Sequence, residues 1–197
     1  MIAAYHAIIS AYGFWLPNDP RGSWSNFVGL DSLYRFAGRA TKTDDPRSLA
    51  RKPHDVDKRK TAKKTLPRPP LRFTGRQALA IAHGFEKQVA QSGCNVLACA
   101  ILPDHVHLVV NQLSVSIERF VIQMKGAAIK QLIAEDCHPY ADQRAPDGTL
   151  PKCFVRGQWT AYLEPGDIER TIRYVEQNPI RLGLKPQKWR FETRWNG

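Results

Sequence analysis

Short apolar runs bounded by turn residues alternate along this chain with stretches whose apolar side chains recur every three or four positions. Residues 2–11 (Ile-Ala-Ala-Tyr-His-Ala-Ile-Ile-Ser-Ala) are apolar and short, as in a buried strand, and the turn-rich Trp15-Leu16-Pro17-Asn18-Asp19-Pro20-Arg21-Gly22 cannot continue it. Thr74-Gly75-Arg76-Gln77 has the form of a capping box. Behind it Ala78, Ala82, Phe85 and Val89 recur at helical spacing, and Gly93 supplies a stop. Two apolar runs, 94–102 and 105–110, flank Pro103-Asp104 and predict a hairpin. A second helix starts at Ser114 or Ser116 and carries Ile117, Phe120, Val121, Met124, Ala128 and Leu132 on one side. After a loop-like stretch at 136–157, residues 159–163 (Trp-Thr-Ala-Tyr-Leu) predict a last strand. A last helix follows, capped by Asp167, turning Ile168, Ile172 and Val175 inward and ended by Pro179.

This order predicts an α+β fold, a ferredoxin-like antiparallel sheet with helices packed on it and a long insertion after the first strand. The 197 residues suit a single domain spanning 1–197, and 43% apolar residues can bury a core. No internal repeat is present. The four cysteines (Cys94, Cys99, Cys137 and Cys153) have neither C-x-x-C nor metal-finger spacing and read as reduced thiols. Cys137-His138 has no neighbour in the sequence that would make it a metal site. The N-terminus lacks a signal-peptide pattern, and no run approaches the roughly 20 apolar residues that span a bilayer. A cytoplasmic, nucleoid-associated protein is expected, with no membrane partner.

Charge singles out the insertion. The chain carries 29 basic and 18 acidic residues, a net +11. Residues 35–76 hold 14 of the basic ones against Asp44, Asp45, Asp55 and Asp57, which is +10 of that total. With Lys58-Arg59-Lys60, Lys63-Lys64, Pro67, Pro69 and Pro70, and no helical or strand period, the insertion at about 16–72 reads as solvated and partly disordered. It equally suits a polycation that holds a phosphate backbone by counterion release, so binding should weaken steeply with salt. Arg59, Lys60, Lys63, Lys64 and Arg68 are the expected DNA-binding side chains there.

His105 and His107 lie two apart on a predicted strand, so both imidazoles leave one face while Val106, Leu108 and Val110 leave the other. Two adjacent nitrogen donors make half of a divalent-metal site, and they also describe two partly buried structural histidines. On the last helix Tyr174 and Asn178 are four apart and share a flank about 100° round from the apolar face. If that helix packs beside the histidines, Asn178 completes three ligands and Tyr174 comes within reach of whatever the metal binds. Otherwise they are a half-buried tyrosine and an asparagine that stops a helix. Tyr140, in a loop, and Tyr162, on a strand, lack a matching amide one turn later, and Tyr5 and Tyr12 lie at the ends of the first strand. Trp159, Trp189 and Trp195 could stack on unpaired bases or fill a small core.

Pro103-Asp104-His105-Val106-His107-Leu108-Val109-Val110 resembles the signature strand of single-tyrosine HUH transposases. Tyr174-Val-Glu-Gln-Asn178-Pro179-Ile180-Arg181-Leu182-Gly183-Leu184 resembles the tyrosine helix and exit of their REP-associated branch. Tyr5-His6 and Lys125-Gly126 also stand where such proteins carry similar residues, and the likeness covers roughly 1–12 and 74–190. It implies an enzyme that cuts and rejoins single-stranded DNA, often beside hairpins, with Mg²⁺ or Mn²⁺. His105 and His107 would then be metal ligands, Asn178 the third ligand and Tyr174 the nucleophile. The product would be a 5′-phosphotyrosine and a free 3′-hydroxyl, which keeps the bond energy for resealing. Lys125 and Arg170 could neutralise the phosphate, although Arg170 also fits an exposed helix arginine. The insertion is longer than the family's usual connection. Relatives include dimers that swap the tyrosine helix and monomers, so a homodimer stays open. Two other readings are a non-catalytic DNA- or RNA-binding protein that keeps the fold, and an unrelated metal hydrolase built on the histidine pair.

Overall fold

The computed structural model of the chain describes residues 2–43 and 49–197; Asp44, Asp45 and Arg47 of the basic insertion lie outside the described residues. The elements are β1 (Ala4–Ser10), α1 (Asp31–Ala37), α2 (Val56–Lys64), α3 (Gly75–Ser92), β2 (Asn95–Ile101), β3 (His105–Asn111), α4 (Ile117–Ala134), β4 (Trp159–Leu163) and α5 (Pro165–Arg181). They form two compact units. One joins the residues up to Ser10 to Arg72–Gly197, and the other is Ala11–Leu71.

The first unit is a four-stranded sheet ordered β2-β3-β1-β4, with every neighbouring pair antiparallel. This is the ferredoxin-like order with one additional helix, α5. The local signals act as expected. The Thr74 hydroxyl accepts from the Gln77 amide, the Gln77 side chain accepts from the Thr74 amide, and Gly93 ends α3 at a left-handed φ of 65°. Ser116 caps α4 through the Arg119 amide.

Register sorts the side chains. His6 pairs with Val109 and Ala161, and His107 pairs with Ile8 and Ala100, so these residues share one face. α5 packs on that face: Ile168 and Val175 join Ala4, Ala98, Ala100, Val109 and Leu163 in one buried cluster. α3 and α4 pack against each other and cover the opposite face, where Ala7, Ile9, Val106, Leu108 and Val110 are fully buried. The two helices meet at Gly84, where a Cβ would stand 2.6 Å from the Ala127 carbonyl oxygen.

The C-terminal segment covers the outer edge of β2. The Gln187 side-chain amide accepts from Ile101 N–H (2.8 Å) and donates to its carbonyl (2.9 Å). Glu192 accepts from the Cys99 amide, and the Thr193 amide donates to Val96.

Two boundaries of α5 differ from expectation. Asp167 does not cap it; Glu164 holds the cap position and Pro165 the first turn, where a missing N–H costs nothing. Pro179 does not end it either, and the helix runs on to Arg181. A proline in the last turn removes a single ladder bond, and the carbonyls of Pro179 and Ile180 still accept amides from Leu182, Gly183 and Leu184.

The second unit corrects the reading of the insertion as lacking periodic structure. It spans Ala11–Leu71, and its described residues hold α1 and α2. Leu16, Leu33 and Ala62 form a small core backed by Val28, Leu30, Ala37 and Leu66. Asp55 caps α2 by accepting from Lys58 N–H. Asp19 and Arg21 make a buried bidentate pair, and the Arg21 guanidinium lies 3.7 Å from the Trp15 ring centroid. Helices of seven and nine residues are too short to declare a period. Among the described residues no helix is long and apolar enough to cross a membrane, and the four cysteines are free.

Candidate active site

Three imidazoles line up on the α5 face of the sheet. His105 Nε2 lies 3.0 Å from His107 Nε2, and His107 Nδ1 lies 2.9 Å from His6 Nε2. Asp104, in the turn just before β3, places Oδ1 2.7 Å from His105 Nδ1, and its other oxygen meets Arg72 at 3.3 Å. A carboxylate only accepts, so His105 donates from Nδ1, and in its neutral form the lone pair is on Nε2. His6 and His107 are buried, 6% and 2% exposed. Burial, then the charge of His105, lowers the His6 pKa to about 4. Burial, then His105 and His6, holds His107 well below the usual histidine value. Both rings are therefore neutral near pH 7, the form that ligates metals.

α5 brings Tyr174 to this row. Its ring stands edge-to-face on His107 at 5.6 Å between centroids and on His6 at 6.0 Å. Tyr174 is 39% exposed. The Arg181 guanidinium lies 5.6 Å from the Tyr174 ring centroid. Asn178, one turn after the tyrosine, donates from Nδ2 to the Tyr174 carbonyl at 3.0 Å, which leaves Oδ1 as the acceptor. The phenol and the imidazoles thus meet within one chain.

The donor set fits a divalent ion. Two ligands about 2.1 Å from an ion, at a right angle, stand about 3.0 Å apart, the separation of the two Nε2 atoms. His6 is not a third ligand here, since it faces the other nitrogen of His107. Among the described residues no group of three His, Cys, Asp or Glu side chains is arranged to hold a metal, so a third protein donor to an ion bound here would be of another kind, such as an amide oxygen.

The remaining expected residues lie elsewhere. The Lys125 ammonium donates to the carbonyls of Val155 and Gly157, ahead of β4, and burial lowers its pKa to about 8. Arg170 pairs with Asp167 at 2.7 Å on the exposed side of α5. In the second unit Arg59 donates to His54, Lys63 donates to the Phe14 carbonyl, and Arg68 lies 5.2 Å from the Tyr12 ring centroid. Lys60 and Lys64 are exposed on α2. Trp159 sets its edge on His6 at 5.5 Å, Trp189 stacks on Phe191, and Trp195 packs on the α5-side core. His138 accepts the Tyr140 amide on Nδ1 and so donates from Nε2 to Cys153. Burial raises that thiol to about 12, which makes the pair a structural contact rather than a nucleophile.

No family model and no curated protein matches the chain. Among solved structures it is similar to a REP-associated tyrosine transposase bound to a REP hairpin, at 9% identity and a TM-score of 0.47. That likeness covers 100% of this chain and 94% of the other. It is also similar to a protein from Deinococcus radiodurans R1, described provisionally as a transposase, at 12% identity and a TM-score of 0.42 over 88% of each chain.

Asp104, His6 and Arg181 belong to motifs that the sequence displays, but none of them carries a role predicted from it. Asp104 is adjacent to His105, and its signal was the carboxylate beside a candidate ligand. His6 stands in the Tyr5-His6 pair of the first strand, and its place beside His107 becomes visible only once β1 pairs with β3. Arg181 follows Tyr174 by seven positions, two helical turns, and the premature end assigned at Pro179 hid it.

Proposed function

We propose that the chain is a metal-dependent endonuclease and strand transferase acting on single-stranded DNA beside hairpins, with Tyr174 as nucleophile. The observation that carries this reading is the packing of the Tyr174 ring against His107, the buried member of a histidine pair spaced for one divalent ion. His105 and His107 would hold Mg²⁺ or Mn²⁺, with Asn178 Oδ1 as third donor. The ion supplies charge neutralisation and orientation to the scissile phosphate. The Tyr174 phenol gives up its proton as its oxygen attacks phosphorus in line, an O–P bond forms, the P–O3′ bond breaks, and the departing 3′-oxygen takes up a proton in its place. The 5′-phosphotyrosine keeps the energy of the broken bond, and return of the 3′-hydroxyl reseals the strand. Arg181 places positive charge beside the attacking ring. The hairpin preference rests on the resemblance of the two sequence motifs, and the cations of the second unit suit contact with the phosphate backbone. In this reading the phenol comes from the same chain as the histidines.

The test is incubation of end-labelled hairpin DNA carrying a single-stranded flank with Mn²⁺. A covalent protein–DNA adduct is expected from the wild-type chain and not from Tyr174→Phe or His105→Ala. Tight binding without an adduct across varied sequences would leave a non-catalytic binding protein. Cleavage that survives Tyr174→Phe would leave a metal hydrolase.

A further inference from the structure

We infer that His6 is the positioning residue that sets which nitrogen of His107 is free to ligate, a neutral counterpart of the carboxylate that sets His105. The inference rests on the reading of His105 and His107 as metal ligands.

A neutral imidazole carries one proton. For His107 to give Nε2 to an ion, that proton must sit on Nδ1, and the atom opposite Nδ1 must accept it. That atom is His6 Nε2, at 2.9 Å. Metal-bound histidines usually point their second nitrogen at a carboxylate or a carbonyl. His105 follows that pattern with Asp104 at 2.7 Å, whereas His107 faces another imidazole. The difference matters because a carboxylate can only accept, while an imidazole accepts or donates according to its own tautomer.

At 3.0 Å the two Nε2 atoms also stand within hydrogen-bond distance of each other. His105 Nε2 is bare, since its proton faces Asp104, so His107 donates from Nε2 and accepts on Nδ1 from His6. When an ion takes the two Nε2 lone pairs, the His107 proton moves to Nδ1 and His6 carries its own on Nδ1. Two protons change nitrogen and none is lost. His6 is built into this position: β1 pairs it with Val109 and Ala161, and the Trp159 and Tyr174 rings close on it at 5.5 and 6.0 Å. It touches the ligand and the tyrosine together, so moving it shifts both.

Two measurements test this. Mn²⁺ binding, followed by the free-ion electron paramagnetic resonance signal, compares wild type with His6→Phe, which keeps a ring and loses the acceptor, and His6→Gln, which restores one. Weakening of roughly 10- to 100-fold is expected for His6→Phe, and return to within a few-fold for His6→Gln. Independently, ¹⁵N NMR of the wild-type chain loaded with Zn²⁺ should find His107 protonated on Nδ1. Wild-type affinity in a folded His6→Phe, or a bare His107 Nδ1 in the Zn²⁺ form, overturns the inference. If His6→Phe fails to fold, the wild-type NMR result decides alone. Absence of Mn²⁺ binding in wild type removes the metal reading and this inference with it. His6-dependent binding without a DNA adduct keeps the inference and removes only the strand-transfer reading.

Discussion

The two faces of the sheet use the same strands for different ends. Toward α3 and α4, Ala7, Ile9, Val106, Leu108 and Val110 meet two helices so close that Gly84 leaves no space for a methyl group. Toward α5 the pattern holds for half the face only: Ala4, Ala98, Ala100 and Val109 pack on Ile168 and Val175. The other half carries a row of rings in which Tyr174 packs on His6 and His107, Trp159 on His6 and His105 on His107. One helix cannot cover a face that two helices cover opposite. The part left over holds buried nitrogens beside a half-exposed tyrosine. The closed face provides the stability that lets polar side chains be held in place on the open one.

This contrast can be broken from either side. The largest effect belongs to Tyr174→Phe, which should abolish the DNA adduct while changing stability by less than about 0.5 kcal/mol, as expected for a half-exposed side chain that keeps its ring. Adduct assay and urea unfolding on one preparation separate the two. On the closed face, Gly84→Val should cost about 3 kcal/mol in denaturant unfolding, because the new side chain meets the Ala127–Ala128 backbone. Material that remains folded should still form the adduct.

Acid should act through the open face. His6 is neutral when folded, with its pKa lowered from 6.5 to about 4, so below about pH 6.5 the unfolded chain binds a proton that the folded chain refuses. Stability is therefore full above 6.5 and declines as pH falls toward 4, by about 2 kcal/mol between pH 7 and pH 5 from His6 alone. Urea unfolding at the two pH values measures it, and His6→Gln should reduce the slope. The smallest effect is expected at Lys125, whose ammonium bridges two loop carbonyls at the cost of burial. Lys125→Met should lose about 1 kcal/mol in the same unfolding measurement.

What the sequence disclosed and what it withheld follow one physical line. Thr74, Gln77 and Gly93 act on their own neighbours, so a capping box and a left-handed stop can be read without the fold. The parity of His105 and His107 is equally local, and so is the four-residue spacing of Tyr174 and Asn178. His6 owes its place to a partner 101 residues away, and Gln187 to one 86 residues away. Neither pairing can be read from the neighbouring residues. Pro179 misled because a proline rule written for helix interiors was applied to a last turn. The second unit stayed hidden because a core of Leu16, Leu33 and Ala62 is scattered over 47 residues of polar chain.

The amide of Gln187 and the residues after it stand where another β-strand would otherwise add to β2. Exposed sheet margins invite accretion of neighbouring molecules. With this flank occupied by the chain's own tail, lateral growth from β2 is blocked. Clipping the last dozen residues should therefore turn a well-behaved protein into one that self-associates through its newly bared rim.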